Sequence, residues 1–206
     1  MGTKIAIINY NMGNLASVKN SCEKVGFEAE ITADPETIKH FDKIILPGVG
    51  AFPDAMKHLR ENGMDEALLE AAKNKPFFGV CLGMQLMFEW GFEHEKSAGL
   101  GLIKGDIVKF DETTLGTERK IPHMGWNKLF KEKDSVLFDG LDDEFYLYFV
   151  HSYHAAPSKE DILATTHYGY PFAAAVEREN LCGLQPHPEK SGDTGLKILK
   201  NFLEKK

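Results

Sequence analysis

The stretch Gly79-Val80-Cys81-Leu82-Gly83 places a cysteine between two glycines, after the apolar residues 76–78 and before the helix-prone residues 84–89. A strand that turns sharply into a helix at a nucleophile needs small residues two positions before and after it, because the backbone segments approach too closely for a Cβ. The turn leaves the sulfur at the start of the helix, where unpaired N–H groups and the helix dipole favour the thiolate. This context predicts that Cys81 is a nucleophile, although an arbitrary free cysteine is more often a core residue.

The size, charge and cysteine content of the chain argue against several classes of protein. With 206 residues it is long enough for one substantial core, and we expect a single domain over residues 1–206. The net charge is −7, whereas nucleic-acid-binding proteins usually have a basic surface, so we expect no nucleic-acid partner. No apolar run reaches transmembrane length, so we expect no membrane association either. The cysteines Cys22, Cys81 and Cys182 form no Cys-x-x-Cys pair, which argues against a disulfide framework and against a thiolate zinc site. A reducing, cytoplasmic location fits this cysteine content.

Short apolar, β-branched segments alternate with helical patterns in the first half of the chain. The predicted strands there cover residues 5–9, 28–32, 43–46 and 77–80. A helix is predicted over residues 15–25, and a helical region over residues 53–73 with a break near Asn62-Gly63. The second half is richer in strands, which are predicted over residues 107–110, 145–150, 162–166, 172–176 and 181–185, before a last helix over residues 194–203. Strand–helix alternation predicts an α/β fold with parallel strands, in which ligands bind at the carboxyl ends of the strands.

A histidine with a nearby carboxylate follows the last predicted strand. His187 lies between two prolines, which hold the chain extended, so the side chain of Glu189 points the same way as that of His187. A carboxylate in that position fixes the tautomer of the imidazole and stabilises the imidazolium. Alone the pattern fits a surface turn equally well, but with the Cys81 elbow it predicts a nucleophile, a base and an orienting group.

A glycine-rich loop after a neighbouring strand supplies further backbone N–H groups. Acyl transfer needs donors for an oxyanion, and the N–H of Leu82 directly follows the nucleophile. A second donor is expected from Val49 or Gly50 in Leu46-Pro47-Gly48-Val49-Gly50. Such a loop also cradles phosphate in other proteins, but no Gly-Lys-[Ser/Thr] or G-x-G-x-x-G pattern follows it here, so we favour the oxyanion role.

Several segments together resemble the class I (triad-type) glutamine amidotransferases. They are Pro47-Gly48-Val49-Gly50, Gly79-Val80-Cys81-Leu82-Gly83-Met84-Gln85, Pro122-His123-Met124-Gly125-Trp126-Asn127, Tyr148-Phe149-Val150-His151-Ser152-Tyr153 and His187-Pro188-Glu189-Lys190-Ser191. The third segment is similar to one subgroup, the glutaminase subunits of imidazole glycerol phosphate synthase. The resemblance spans almost the whole chain. It implies a flavodoxin-like three-layer α/β/α fold around a central, mostly parallel mixed sheet.

The resemblance also implies roles for individual residues. Cys81 would be the nucleophile, His187 the base and acid, and Glu189 the group that orients His187. The amino-acid end of glutamine would be held by Gln85, Glu93, Ser152 and Tyr153. By position alone Gln85, one helical turn after Cys81, would more often be a solvated helix residue. The segment around His187 departs from the family pattern at Pro186, where the family usually has an aromatic residue.

A partner is implied as well, because free ammonia is protonated in neutral water and must reach its acceptor out of contact with solvent. The family's partner is a cyclase of the (β/α)₈ type, which forms a heterodimer and receives ammonia through an internal channel. Asn14, Trp126 and Lys190 resemble the interface positions of the family, although Trp126 alone would more often be core and Lys190 solvated. No cofactor is implied. No metal is expected either, because the histidine spacings match no ligand pattern.

Two other functions stay open from the sequence. The first is a paralogous glutaminase subunit that supplies ammonia to a sugar-modifying enzyme. The second, which we disfavour, is a cysteine-elbow stress protein, a peptidase or a non-catalytic binding module. In the related stress proteins and peptidases a histidine typically follows the elbow cysteine, whereas here Leu82 does.

Overall fold

The computed structural model describes residues 2–116 and 119–205. Its strands within these residues are β1 (Ile5–Ile8), β2 (Ala29–Thr32), β3 (Lys43–Leu46), β4 (Phe77–Val80), β5 (Phe88–Gly91), β6 (Ser97–Ala98), β7 (Ile103–Lys109), β8 (His123–Lys131), β9 (Glu144–His151), β10 (Tyr153–Pro157), β11 (Ile162–Tyr168), β12 (Tyr170–Arg178) and β13 (Leu181–Leu184). Its α-helices are α1 (Leu15–Lys24), α2 (Phe52–Glu61), α3 (Met64–Ala72), α4 (Leu82–Leu86), α5 (Glu112–Leu115) and α6 (Gly192–Glu204). Short 3₁₀ helices cover Pro35–His40, Val136–Phe138, Lys159–Asp161 and Pro188–Lys190.

The strands form one mixed sheet. A parallel block runs in the order β2, β1, β3, β4 and β13. The sheet continues antiparallel through β12, β10 and β7, and β5 then lies parallel to β7. From β12 a branch of antiparallel strands leads through β11 and β8 to β9. Because β4 and β13 are parallel neighbours, the segments that carry Cys81 and His187 leave the sheet side by side at its carboxyl edge.

Helices cover both faces of the parallel block, and the alternation of side chains along β1 explains how. Ile5 and Ile7 belong to the hydrophobic cluster that includes Phe202 of α6, whereas Ala6 and Ile8 belong to the cluster that includes Leu59 of α2. Successive strand residues point to opposite faces, so a strand that is apolar at every position needs cover on both sides. The expected three-layer α/β/α fold around a central mixed sheet is confirmed.

The structure corrects the sequence-based prediction for the helix after Cys81 and contains strands that were not predicted. Residues 84–89 were expected to be helical, but α4 ends at Leu86, and Phe88–Gly91 forms β5 beside β7. Tertiary pairing therefore overrides a local preference for helix. Strand β8 was missed, although it is one of the longest strands described. None of the described helices combines the length and the apolar character that crossing a membrane requires.

Candidate active site

Cys81 lies on a sharp turn between β4 and α4. Its backbone has φ 54° and ψ −114°, a conformation that L-residues rarely adopt and that strains the turn. A Cβ at Gly79 would lie 2.7 Å from Cα of Met84, and a Cβ at Gly83 would overlap the carbonyl oxygen of Leu46. The predicted elbow is therefore present, and both glycines are needed because backbone fills the space beside them.

We expect Gly83→Ala to destabilise the protein, since the added methyl group would have to displace the backbone of β3. Overpacking of this kind costs about 1–3 kcal/mol, which corresponds to a fall in melting temperature of roughly 3–10 °C. Gly2→Ala is the control, because Gly2 has neither a positive φ nor any atom within 4 Å of its added Cβ. Thermal unfolding of both variants checks the prediction. Equal melting temperatures for the two variants would contradict it.

His187 and Glu189 lie together, as the sequence predicts. His187 Nδ1 is 2.7 Å from Glu189 Oε1, and the side chains are only 3% and 4% exposed. The main chain of His187 is extended, with φ −98° and ψ 100°, and its N–H donates to the carbonyl of Tyr148 in β9 at 2.9 Å. The unusual Pro186 is thus compatible with an ordered histidine. Because Nδ1 faces a carboxylate, it carries the proton, and Nε2 is left for chemistry.

The environment of His187 favours its charged form. Burial lowers the pKa of His187, but the neighbouring Cys81 sulfur and the Glu189 carboxylate raise it by more, so the net pKa lies above its ordinary value. His187 Nε2 makes no hydrogen bond within the described residues. An imidazolium beside a cysteine in turn favours the thiolate, which is the nucleophilic form.

Cys81 and His187 line a common cavity of about 370 Å³. The elbow and the glycine-rich loop form one side of it through Leu82, Val49 and Gly50. As the first residue of α4, Leu82 has no intrahelical partner for its N–H. The sequence-predicted oxyanion donors therefore border the same space as the sulfur.

The glycine-rich loop is packed against the elbow. Tyr10 donates a hydrogen bond from Oη to the carbonyl of Pro47 at 2.8 Å, and a Cβ at Gly48 would lie 3.0 Å from the backbone nitrogen of Gly83. Burial, together with the charge of Cys81, raises the pKa of Tyr10 far above its usual range, so its hydroxyl stays a donor. Beyond this anchor Val49 is 41% exposed. The loop is thus fixed at its base and solvent-accessible at Val49.

The four residues expected to hold the amino-acid end of glutamine also line the cavity. Glu93 accepts a hydrogen bond from the backbone N–H of Phe52 at 2.8 Å, where its charge suits the start of α2. Gln85 is buried, and its Nε2 donates to the carbonyl of Tyr153 at 3.0 Å and to Oε1 of Gln185 at 3.0 Å. Both amide hydrogens of Gln85 are thereby engaged within the protein, so only its oxygen is left for a ligand.

Some residues of the site were not foreseen. Pro122, Val150 and His151 line the cavity, and the fully buried Gln185 donates from Nε2 to Cys81 Sγ at 3.7 Å. For Gln185 a signal was available, since it directly follows a strand that is the parallel neighbour of β4. Pro122 and Val150 could not be found in this way, because they depend on the unpredicted strand β8 and its pairing with β9.

Two histidines form a pair at the cavity, which His151 lines. His123 Nδ1 and His151 Nε2 are 2.9 Å apart, and His151 Nδ1 lies 2.7 Å from the carbonyl of Tyr153. Burial lowers the pKa of His123 to about 4 and, with smaller contributions from neighbouring groups, that of His151 to about 3. Both rings are therefore neutral at neutral pH. Within the described residues no group of three or more His, Cys, Asp or Glu side chains has the arrangement of a metal site.

The three residues expected at an interface are all exposed. Asn14 accepts a hydrogen bond from the N–H of Ser17 at 3.4 Å and so caps α1, Lys190 follows Glu189, and Trp126 on β8 is 58% exposed. The ring of Trp126 packs edge-on against Tyr148, whose carbonyl accepts the N–H of His187. The tryptophan is thus connected to the histidine through a single residue.

Trp126 belongs to an exposed apolar face on β8 and β9, which we call the β8–β9 face. Its members are Met124, Trp126, Phe130 and Tyr146, with exposed fractions from 41% to 61%. In the strand register Met124 lies opposite Val150, which lines the cavity.

A larger concavity, of about 1510 Å³, lies beside β1 and β2 at their amino ends, and neither Cys81 nor His187 lines it. The smaller cavity at the carboxyl edge is therefore the candidate active site.

Comparison with known sequences agrees with this geometry. Residues 6–206 match the family model described as glutamine amidotransferase class-I. The imidazole glycerol phosphate synthase subunit HisH of Wolinella succinogenes is 56% identical over 202 residues, a match that covers 97% of this chain and 98% of that protein. The protein of the same name from Sulfurimonas denitrificans is 58% identical over 202 residues, covering 97% of each chain.

Comparison with known structures concerns the fold. A chain in the structure of PurLQS from Thermotoga maritima has a TM-score of 0.77 and 21% identity, with 98% of each chain covered. A glutamine amidotransferase from Thermotoga maritima has a TM-score of 0.63 and 15% identity, with 94% of this chain and 79% of that chain covered. At these identities the likeness shows the fold alone, and it agrees with the three layers described above.

Proposed function

We propose that this chain, which belongs to the class I glutamine amidotransferase family, is the glutaminase subunit of an imidazole glycerol phosphate synthase. The observation that carries the proposal is the convergence of Cys81 and His187 on one cavity, with Glu189 held against His187 at 2.7 Å. Two relatives that are more than half identical over nearly the whole chain support this particular subgroup.

The proposed chemistry is hydrolysis of the side-chain amide of glutamine. The Cys81 thiolate attacks the amide carbon, and the electron pair of the carbonyl bond moves to oxygen, where the N–H of Leu82 and an N–H of the Val49–Gly50 segment would stabilise it. His187 Nε2 gives its proton to the departing nitrogen, so that ammonia leaves and a thioester remains. His187 then takes a proton from water, the water oxygen attacks the thioester, and glutamate is released as the thiolate re-forms.

The proposed substrate contacts follow from the lining of the cavity. The carboxylate of Glu93 and the free oxygen of Gln85 are acceptors suited to the ammonium group of glutamine. Ser152 and Tyr153, which also line the cavity, would contact the amino-acid end as well. The carboxamide would then extend toward Cys81.

The proposed partner is a cyclase of the (β/α)₈ type that forms a heterodimer with this chain and adds the ammonia nitrogen to its own ribonucleotide substrate, making imidazole glycerol phosphate and aminoimidazole carboxamide ribonucleotide. Support comes from the β8–β9 face, because four exposed apolar side chains in one patch are typical of an interaction surface. Ammonia released at the cavity would emerge beside this face, since Val150 borders both. We place the heterodimer in the cytoplasm and treat residues 1–206 as one glutaminase domain.

Glutamate release from glutamine, measured with and without the cyclase subunit of the same organism, tests the proposal. We expect low activity for the isolated chain and an increase of about tenfold or more with the cyclase and its ligand. Full activity without a partner would contradict the proposal. Activation by a sugar-modifying acceptor enzyme, but not by the cyclase, would overturn the assignment to this synthase.

Trp126→Ala tests the β8–β9 face separately. Large aromatic residues at the centre of an interface contribute about 2 kcal/mol or more, so we expect the Kd for the cyclase to rise by about 30-fold or more. Val136→Ala is the matched control, because Val136 is 47% exposed on a 3₁₀ helix outside this face. Calorimetric titration of each variant with the cyclase gives the Kd. An unchanged Kd for Trp126→Ala would exclude this face as the docking surface.

A further inference from the structure

Gln185 has a contact with the reacting sulfur that the proposed mechanism does not use. Among the described residues it is the side chain that donates a hydrogen bond to Cys81 Sγ, from Nε2 at 3.7 Å. We propose that Gln185 is a further catalytic residue, whose amide N–H stabilises the Cys81 thiolate, and that Gln85 holds this amide in the donor orientation. The inference rests on the proposed function, since it concerns the same nucleophile.

The position of Gln185 is determined by the sheet. In the register of β4 and β13, Val80 lies opposite Leu184, so the next residues, Cys81 and Gln185, leave the sheet as neighbours. The N–H of Cys81 donates to the carbonyl of Leu184 at 2.8 Å, and the N–H of Gln185 donates to the carbonyl of Ala174 at 2.8 Å. Gln185 is fully buried. The backbone of Gln185 is therefore held next to that of Cys81, and its side chain starts beside the sulfur.

The orientation of the amide follows from a carbonyl that can only accept hydrogen bonds. The carbonyl of Tyr153 lies 3.0 Å from Gln85 Nε2, so Gln85 must turn its NH₂ group toward it. The second hydrogen of the same NH₂ group points to Gln185 Oε1 at 3.0 Å. Because the oxygen of Gln185 faces Gln85, its own NH₂ group faces Cys81. The chain of donors therefore ends on the sulfur, which accepts from Gln185 at 3.7 Å and, as a thiol, can donate to the carbonyl of Val150 at 4.0 Å.

The same carbonyl is held from its other side. His151 donates from Nδ1 to the carbonyl of Tyr153 at 2.7 Å, and His151 Nε2 in turn accepts from His123 Nδ1 at 2.9 Å. Because burial keeps both rings neutral near neutral pH, these protons stay in place over the working range of the enzyme. A reversed orientation of Gln85 would set two oxygens against each other, and the orientation shown is therefore the stable one.

The sulfur depends on such donors because, among the described residues, no lysine or arginine lines the cavity. Apart from the imidazolium of His187, the negative charge of a thiolate is stabilised by uncharged N–H groups. A hydrogen bond donated to an ionised group stabilises the charged form enough to change the pKa of that group by about one unit. Loss of the Gln185 N–H should therefore shift the ionisation of the nucleophile toward alkaline pH by roughly that amount.

The test is the pH dependence of alkylation of Cys81 by iodoacetamide, a small carboxamide reagent, measured on the full chain by mass spectrometry of the Cys81 peptide. Gln185→Met keeps the side-chain length without a donor, and Gln185→Glu replaces the donor with a carboxylate. We expect the midpoint of the profile to rise by about one pH unit for Gln185→Met. It should rise further for Gln185→Glu, because like charges repel. Gln85→Met, which releases the Gln185 amide, should give a smaller rise.

A matched control separates this effect from the loss of any buried amide. Asn201 is buried in α6, and its Nδ2 donates to the carbonyls of Leu137 and Asp139 at 3.1 and 2.9 Å. Asn201→Leu is expected to lower the melting temperature without moving the midpoint. If Gln185 had only a structural role, the midpoint of the alkylation profile would be no higher for Gln185→Glu than for Gln185→Met. If one variant at position 185 fails to fold, the other and Gln85→Met carry the test.

Each outcome decides between the proposals. An ordered rise in the midpoint supports the inference, whereas unchanged midpoints in folded Gln185 variants overturn it and leave the proposed function standing. If Cys81 in the unsubstituted protein is alkylated no faster at neutral pH than Cys22 and Cys182 in the unfolded chain, the nucleophile itself is wrongly assigned. The proposed function and the inference then both fail.

Discussion

Cys81→Ala is expected to abolish glutamine-dependent synthesis in the complex with the cyclase while synthesis supported by added ammonium salts continues. The reason is that the sulfur forms the bond that breaks the amide, and within the described part of the chain no other thiol lines the cavity. Loss of the nucleophile from a triad lowers kcat by a factor on the order of 10⁶. Release of glutamate and formation of the cyclase product, each measured with glutamine and with ammonium salts, check both parts of the prediction.

Cys22→Ala is the matched control for this substitution. Cys22 is buried in α1, and burial raises the pKa of its thiol to about 12, with a smaller contribution from Glu23. That thiol is therefore inert, and we expect the control to keep its glutaminase activity and to lose only stability. Retained glutamine hydrolysis in Cys81→Ala would refute the assignment of the nucleophile. Loss of the ammonium-dependent reaction as well would point to a failure of folding or docking.

Glu189→Gln is expected to reduce kcat for glutamine hydrolysis by about 10³–10⁴-fold with little change in stability. The carboxylate holds the proton of His187 on Nδ1, so that Nε2 faces the cavity as the atom that exchanges protons with the substrate. An amide at this position can donate its own N–H to Nδ1, which would fix the wrong tautomer and remove the charge that stabilises the imidazolium. Steady-state kinetics of the complex over a range of glutamine concentrations separate the effect on kcat from that on KM.

Asp161→Asn is the control for the loss of a buried carboxylate. Asp161 is 4% exposed and pairs with Arg178 at 3.3 Å, outside the cavity. We expect this variant to melt at a lower temperature than the unsubstituted protein while kcat stays the same. If Glu189→Gln and Asp161→Asn had the same kcat, Glu189 would have no role in orienting His187.

The sequence was informative where a local pattern has one structural solution. Glycines two residues before and after Cys81 predicted the elbow, because any side chain there would meet backbone. Glu189 lies beside His187 as predicted, but the predicted extended conformation is wrong beyond His187, because Pro188–Lys190 forms a 3₁₀ helix that brings the carboxylate to the imidazole. The parallel block was predicted as well, because buried strands that alternate with helices pair in few ways.

The parts that could not be predicted depend on register between segments far apart in the chain. Gln185 was overlooked although the strand before it was predicted, whereas His123 meets His151 only because the unpredicted β8 pairs with β9. Strand β8 was missed because Gly125 and the polar residues Asn127 and Lys128 interrupt its apolar pattern, and the same strand exposes Met124 and Trp126. Local propensity contains none of this long-range information.

The most direct test of the central claim is to trap the covalent intermediate. The complex with the cyclase is supplied with glutamine, turnover is stopped with acid, and the cysteine-containing peptides are analysed by mass spectrometry. We predict that the Cys81 peptide gains the mass of glutamine less ammonia, while the peptides of Cys22 and Cys182 are unchanged. Glutamate release with no adduct on Cys81, or with the adduct on another residue, would contradict the proposed glutaminase mechanism.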